Sequence, residues 1–336
     1  MPACGDFRSC QLLERNMRRT PRVLLVVGIV IFGLVSYYAK RVVNPITGEK
    51  QSVALTPAQE IVLGLDSAPK MTQELGGLDP DPVVRQRVQR LGEELAAESV
   101  ASQSPYKFTF SVLQDRNTIN AFALPGGPIF ITRGLLDRLE NDGQVAGVLG
   151  HEIGHVLARH SAEQMAKSEL AQTLVGAAAV AASDEQGRSQ SAEMTAVFVA
   201  QMVQMKYGRG DELEADQLGV RLLSEAGYDP RALIGVMKIL EHSSPGGRQP
   251  KFMSTHPDPG NRERAIQEAI DQRFPGGVPA GMKGEARRHR RVLAAALRGP
   301  GPALPAHRLR SLRAVRRTFE VAPATARRRS LGEAGS

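Results

Sequence analysis

The chain of 336 residues contains no tryptophan, and aromatic residues make up only 4% of it. Its core must therefore rely on Leu, Val, Ile, Ala and Met. It has two cysteines, Cys4 and Cys10, and none from Met17 onward. This excludes a disulfide framework in the body of the protein and a cysteine-based zinc site there. Any metal site in the body must use histidines and carboxylates. A basic folded domain is also lacking, although the pI is about 9.8. The net charge is +8, of which residues 285–336 contribute +10 and residues 1–41 contribute +5, leaving −7 for residues 42–284. A nucleic-acid footprint should lie on the folded part, so no nucleic-acid partner is expected.

Long apolar runs are scarce. Val23 to Ala39 is uncharged over seventeen residues, at the lower edge of what crosses a bilayer as a helix. Arg15, Arg18, Arg19 and Arg22 precede it, Lys40 and Arg41 follow it, and Tyr37 and Tyr38 sit at its end. The basic excess on the N-terminal side predicts a cytoplasmic N-terminus and a body on the periplasmic or extracytoplasmic side. A cleaved signal peptide competes with an anchor, but tyrosines stand where cleavage prefers small residues, which favours the anchor. The organisation expected is a basic segment over 1–21, a transmembrane anchor or signal segment over 22–39, a polar linker over 40–55, a folded domain over 56–277 and an Arg/Pro/Ala-rich disordered tail over 278–336.

Within the folded domain, Thr56-Pro57 and Asp81-Pro82 read as helix starts. Phe108–Leu113 and Ile119–Leu124 read as strands. Pro125-Gly126-Gly127-Pro128 reads as a turn, and Ile129-Phe130-Ile131 as a short strand after it. Asn141 or Asp142 can cap a long helix running to about Lys167. The apolar stretch Leu170–Ala182 follows, then a polar loop over 183–191 and a helical pattern from Ala192. A break near Gly208-Arg209-Gly210 precedes a further helix. Helix starts at Asp229-Pro230 and Asp258-Pro259 complete the pattern, the last helix ending near Phe274-Pro275.

The chemistry concentrates at His151-Glu152-Ile153-Gly154-His155. Four helical residues turn about 400°, so both imidazoles point the same way, one turn apart, and can grip one cation. Glu152 lies beside the metal, where it can take a proton from an attacking water. Chance occurrence of this pattern in such a chain is on the order of one in a hundred. The apolar surroundings, Val145, Val148, Leu149, Ile153, Val156 and Leu157, argue against a solvent-facing pair of histidines. Gly150 and Gly154 each cost about 1 kcal/mol of helix propensity, which suggests close backbone packing or room for substrate. A zinc hydrolase needs a third protein ligand. Glu212 and Asp216 are four residues apart on one helix face. Either could bind the metal while the other holds a ligand histidine by its free ring N–H. Glu214 points elsewhere and reads as solvated. His160 lies about 140° around the helix from His155 and reads as facing away. His242, His289 and His307 receive no role.

Further motifs surround this core: Asn120-Ala121-Phe122-Ala123-Leu124-Pro125-Gly126-Gly127, Gly134-Leu135-Leu136, Arg209 with Glu212-x-x-Ala215-Asp216, and Thr255-His256-Pro257 followed by Arg262. In this order the chain resembles the gluzincin zinc metalloendopeptidases of peptidase family M48, over about residues 56–274. With a single candidate span, it is most similar to the single-anchor bacterial members. The resemblance implies that Glu212 is the third ligand, with His151 and His155, to one zinc ion per chain, and that Asp216 supports a ligand histidine. It implies substrate-side roles for Asn120 and His256, the latter either steadying the transition state or blocking the metal as a fourth ligand. One departure is Gly208, where many members have Ser.

The fold implied is α+β, a mostly helical zincin-like domain with a small sheet whose edge strand flanks the zinc helix. The function implied is hydrolysis of peptide bonds in misfolded or misassembled envelope proteins, with Glu152 as general base. Polypeptides would be the substrates, and the N-terminal segment would attach the protein to a membrane. The alternative is a membrane-associated chaperone or assembly factor whose protease activity is blocked by His256.

Overall fold

The computed structural model describes residues 7–182, 207–243, 250–257 and 260–284. The loop read over 183–191, the helical pattern from Ala192 to residue 206, the start at Asp258-Pro259, His289, His307 and the tail beyond 284 lie outside the described residues.

The protein is built around one buried helix. Helix α5 (Asp142–Leu157) is entered through Asn141, whose side chain accepts from the Gln144 N–H at 2.9 Å. Every residue from Gly143 to Leu157 is buried. A helix that is apolar on most of its faces belongs in a core rather than on a surface. Helices α3 (Pro82–Ala97), α7 (Arg209–Glu225) and α8 (Arg231–His242) pack around it. Helix α3 starts as expected, with Asp81 accepting from Val83 N–H and Pro82 at the first helical position. Helix α2 (Pro57–Glu74) starts with a capping box of Thr56 and Gln59.

A three-stranded sheet covers another side of α5. Its strands are β3 (Thr109–Leu113), β4 (Ala121–Ala123) and β5 (Pro128–Thr132), in the order β3-β5-β4. β3 and β5 run parallel, with Phe110 opposite Ile129. β4 and β5 run antiparallel, with Phe122 opposite Phe130, and the short helix α4 (Arg133–Leu136) follows β5. β4 is thus an edge strand, and it packs on α5. The architecture is the mostly helical α+β domain expected, with its edge strand beside the helix of His151 and His155.

α5 stops ten residues sooner than its apolar pattern suggests. Arg159 adopts a left-handed backbone conformation, φ 60°, immediately after the capping residue Ala158. A left-handed non-glycine residue costs on the order of 1–2 kcal/mol. Tertiary bonds hold it: Arg159 Nε donates to Glu60 Oε2 at 3.2 Å and Nη2 donates to the Leu55 carbonyl at 2.6 Å. Tyr106 donates its hydroxyl to the same Glu60 carboxylate. A new helix, α6 (His160–Ala182), then sets off from His160.

Residues 40–55, expected as a linker, are ordered against this point. Strands β1 (Arg41–Val43) and β2 (Lys50–Ser52) form an antiparallel hairpin. The buried Asn44 donates to the Leu157 carbonyl at 2.8 Å, and the buried Gln51 donates to the Ala158 carbonyl at 2.9 Å. These carbonyls are among those an α-helix leaves unpaired at its C-terminus, so the hairpin caps α5 from outside. Residues 278–284, expected in the tail, also return to the domain. Lys283 pairs its backbone with Gly227 and Asp229, and its ammonium with Glu94 and Glu98. Two further helices, α9 (Lys251–Thr255) and α10 (Arg262–Arg273), complete the described part; α9 has no counterpart in the sequence pattern.

At the N-terminal end, helix α1 (Phe7–Ala39) lies along α6. Val23, Leu24, Leu25, Ile31, Phe32 and Val35 are exposed on it. Among the described residues, no helix is long and apolar enough to cross a membrane.

The two glycines of α5 differ in what they face. A Cβ on Gly154 would stand 2.9 Å from the Ala215 carbonyl oxygen of α7, whereas one on Gly150 would make ordinary contacts at 3.5 Å and beyond. Gly154→Ala should therefore destabilise the protein by about 1–3 kcal/mol, as overpacking does. Gly150→Ala should be neutral or stabilise it by up to about 1 kcal/mol. Denaturant unfolding of the two variants checks this; equal effects would contradict the assignment.

Candidate active site

α5 presents His151 and His155 one turn apart, and the close approach of α7 at Gly154 brings Glu212 against them. The ligating atoms of His151, His155, Glu212 and His256 all lie within 4.8 Å of one another, and all four residues are buried. His155 Nε2 is 3.0 Å from His151 Nε2 and 3.6 Å from Glu212 Oε1. His151 Nε2 is 3.5 Å from Glu212 Oε2 and 3.4 Å from His256 Nδ1. His256 Nδ1 is 3.1 Å from Glu212 Oε1. Tetrahedral ligand atoms at zinc bond lengths stand about 3.3–3.4 Å apart. Three nitrogens and a carboxylate at these separations fit one zinc ion, and these four residues form a buried metal-binding group.

The free ring nitrogens of the two helix histidines are both engaged. His151 Nδ1 is 2.9 Å from Asp216 Oδ1. Asp216 is in turn gripped by Arg262, whose Nε and Nη2 donate to its two oxygens at 2.7 Å each. Arg262 Nη1 also lies 3.1 Å from Glu212 Oε2. On the other side, His155 Nδ1 is 2.8 Å from His160 Nδ1, and His160 Nε2 is 3.1 Å from Glu214 Oε2. The expectations that His160 faces away and that Glu214 is merely solvated are both overturned. The 140° offset holds only on a continuous helix, and the break at Arg159 turns His160 back toward His155. Glu214 is 28% exposed at its side chain and still reaches His160.

Electrostatics follow from this burial. Burial pushes the Glu152 carboxyl above its ordinary range, against the pull of His256 and His151. Burial, then the neighbouring His151, hold His155 well below the ordinary histidine value. Burial also opposes protonation of His151, but hydrogen bonds to Asp216 and Glu212 raise it to about 9. Burial opposes ionisation of Glu212 too, yet His256 and His151 hold its carboxyl well below the ordinary range.

Glu152 is fully buried, and neither of its carboxylate oxygens has a hydrogen-bond partner. His256 Nε2 stands 3.7 Å from it. Two buried carboxylate oxygens without a partner are costly in a purely structural role, and they point to a group that acts on something entering the site. Asn120 immediately precedes the edge strand β4 and bonds through its backbone N–H to Thr132 Oγ1 at 3.0 Å. Its buried side-chain oxygen has no partner, and it makes none of the contacts that tie the histidines together. Its neighbour Ile119 accepts from the Phe252 N–H at 3.0 Å, which links the strand to α9 and so to His256.

Two aromatic rings complete the walls. Tyr207 stacks on His155 with centroids 4.1 Å apart, and Phe252 stacks on His256 at 4.4 Å. Neither ring carries a signal in the sequence that would single it out. Arg262 appears there only as part of a motif, with no hint that Asp216 is its partner.

Two buried histidines on an HExxH helix, a glutamate from the neighbouring helix, a second glutamate without a hydrogen-bond partner and a strand edge alongside are the arrangement of a zinc metallopeptidase. The chain belongs to peptidase family M48, whose model matches residues 82–270. It is 27% identical to the beta-barrel assembly-enhancing protease of Yersinia pestis over 237 residues, which is 69% of this chain and 48% of that protein. It is 32% identical over 175 residues to the mitochondrial metalloendopeptidase OMA1 of Schizosaccharomyces pombe, covering 52% of this chain and 50% of that one. It is 32% identical over 153 residues to the metalloprotease YcaL of Escherichia coli, covering 45% of this chain and 58% of that one. The chain spans about half the length of these curated relatives.

Proposed function

We propose that this chain is an endopeptidase that hydrolyses peptide bonds of misfolded or misassembled envelope proteins. The observation that carries this reading is the buried Glu152 carboxylate, without a hydrogen-bond partner, beside the group formed by His151, His155 and Glu212. Zinc, when bound by these three residues, supplies a Lewis acid for the scissile carbonyl and acidifies water toward neutral pH. Glu152, its pKa raised by burial, takes the proton of the attacking water and passes it to the leaving amine. Asp216 and Arg262 keep His151 in the tautomer that leaves Nε2 free. A substrate peptide lies along β4, whose outer edge pairs with no other described strand. Asn120, at the start of that strand, and His256 stabilise the developing oxyanion; for Asn120 this uses the amide nitrogen. The envelope as the source of substrates is supported by the relatives' description as beta-barrel assembly-enhancing proteases.

A second reading is favoured by His256. Its Nδ1 lies among the ligand atoms, 3.1 Å from Glu212 and 3.4 Å from His151, which suits a fourth ligand that blocks the metal. In this reading the protein assists assembly as a chaperone and cleaves only when His256 is displaced.

The basic flank and the uncharged run in α1 support attachment to a membrane, with the catalytic domain on the periplasmic or extracytoplasmic side. Lipid contact in this reading uses the exposed apolar side chains of α1. Alkaline carbonate extraction checks it: the full chain should stay with the membrane pellet, and release into the supernatant would refute an anchor.

Glu152→Gln should keep one zinc ion per chain and lower the cleavage rate of an unfolded protein substrate by at least about 100-fold. Undiminished cleavage with zinc bound would exclude Glu152 as the base. His256→Ala separates the two readings of that residue. A rise in activity supports the blocking role, and a fall supports the transition-state role.

A further inference from the structure

The hydrogen atoms behind His155 can be assigned from its contacts. His155 turns Nε2 toward His151 and Glu212, so this nitrogen must present a lone pair to the metal. Its one remaining ring hydrogen then belongs on Nδ1. Among the described residues Nδ1 faces one partner, Nδ1 of His160 at 2.8 Å, and two such nitrogens at this distance share one hydrogen. His155 therefore donates and His160 accepts. That leaves the hydrogen of His160 on Nε2, which donates to Glu214 Oε2 at 3.1 Å. The reverse order would place the hydrogen of His155 on Nε2, against the metal. Metal ligation thus fixes the direction of the whole chain, from His155 through His160 to Glu214.

We propose that His160, backed by Glu214, is a positioning residue for the zinc ligand His155. The proposal rests on the metal site described above and adds to it a support for the second histidine. His151 has a direct carboxylate, Asp216, held by Arg262. No carboxylate touches the Nδ1 of His155 among the described residues, and a second imidazole spans the gap to Glu214. The fold explains how it gets there. The left-handed turn at Arg159 ends α5, and α6 restarts with His160, which is 1% exposed and lies against the ligand rather than on the far side of it. An outer partner of this kind fixes the ring orientation and raises the basicity of the ligand nitrogen.

The test is zinc affinity, measured on the full chain by competition with a chelator. His160→Phe keeps the ring and removes both nitrogens; it should weaken zinc binding by about 10–100-fold. His160→Gln can accept from His155 and donate to Glu214, and should restore affinity to within about threefold of the parent. Glu214→Ala, at a partly exposed position, should weaken binding by an amount between these. Cobalt substituted for zinc adds a spectroscopic readout: its visible bands should shift in the Phe variant and return in the Gln variant. Parent-like affinity in both His160→Phe and Glu214→Ala overturns the proposal. So does a His160→Gln variant as weak as His160→Phe, since bulk rather than hydrogen bonding would then be at work. If the Phe variant does not fold, Glu214→Ala and His160→Gln decide alone. Failure of the parent chain to bind zinc would instead refute the metal site itself.

Discussion

The site depends on how closely α7 can approach α5. Helices with ordinary side chains at the contact pack their axes about 8–10 Å apart. Here Gly154 lies against the Ala215 backbone, and Gly219 lies against the backbone of His151. Three small residues let the two backbones meet at this contact. A glutamate on α7 can then reach the nitrogens of two histidines on α5 with the length of its own side chain. The helix-propensity cost of the glycines is the cost of that reach. Burial does the rest: with His151, His155, Glu212, His256 and Glu152 all removed from water, a bound cation would offset the cost of keeping their charges and lone pairs there.

Local patterns were readable to the extent that their cause was local. The caps at Thr56, Asp81 and Asn141, the three short strands and the turn at Pro125 follow from side chains a few residues apart. The spacing of His151 and His155 likewise needs only helix geometry. Choosing between Glu212 and Asp216 did not follow from spacing, because two carboxylates on one face look alike; the family resemblance favoured Glu212. The structure gives the physical difference. Both oxygens of Asp216 are bonded to Arg262, from a helix nearly fifty residues away, and Asp216 meets only the outer nitrogen of His151, whereas Glu212 Oε1 lies 3.6 Å from His155 Nε2 and 3.1 Å from His256 Nδ1.

The misreadings share one origin. The apolar pattern of α5 continues past Leu157, and nothing within ten residues says that it should stop. It stops because Glu60, Leu55 and Tyr106, all from distant segments, hold Arg159 in a conformation a helix cannot use. On a continuous helix His160 faces away and Glu214 has no partner. Residues 40–55 look like a polar linker for the same reason, since the carbonyls that Asn44 and Gln51 serve lie more than a hundred residues on.

That hairpin also governs where the catalytic centre can go. A flexible tether of sixteen residues would let the domain wander through a radius of about 22 Å around its attachment point. Residues 40–55 instead leave α1 and plug directly into the end of α5, two and three residues after His155. The end of α1 is therefore tied closely to the helix that carries His151 and His155. On the proposed function, such a device would work as a fixed blade rather than a roving one: the flexibility of the polypeptide, not of the domain, would set which bonds come within range.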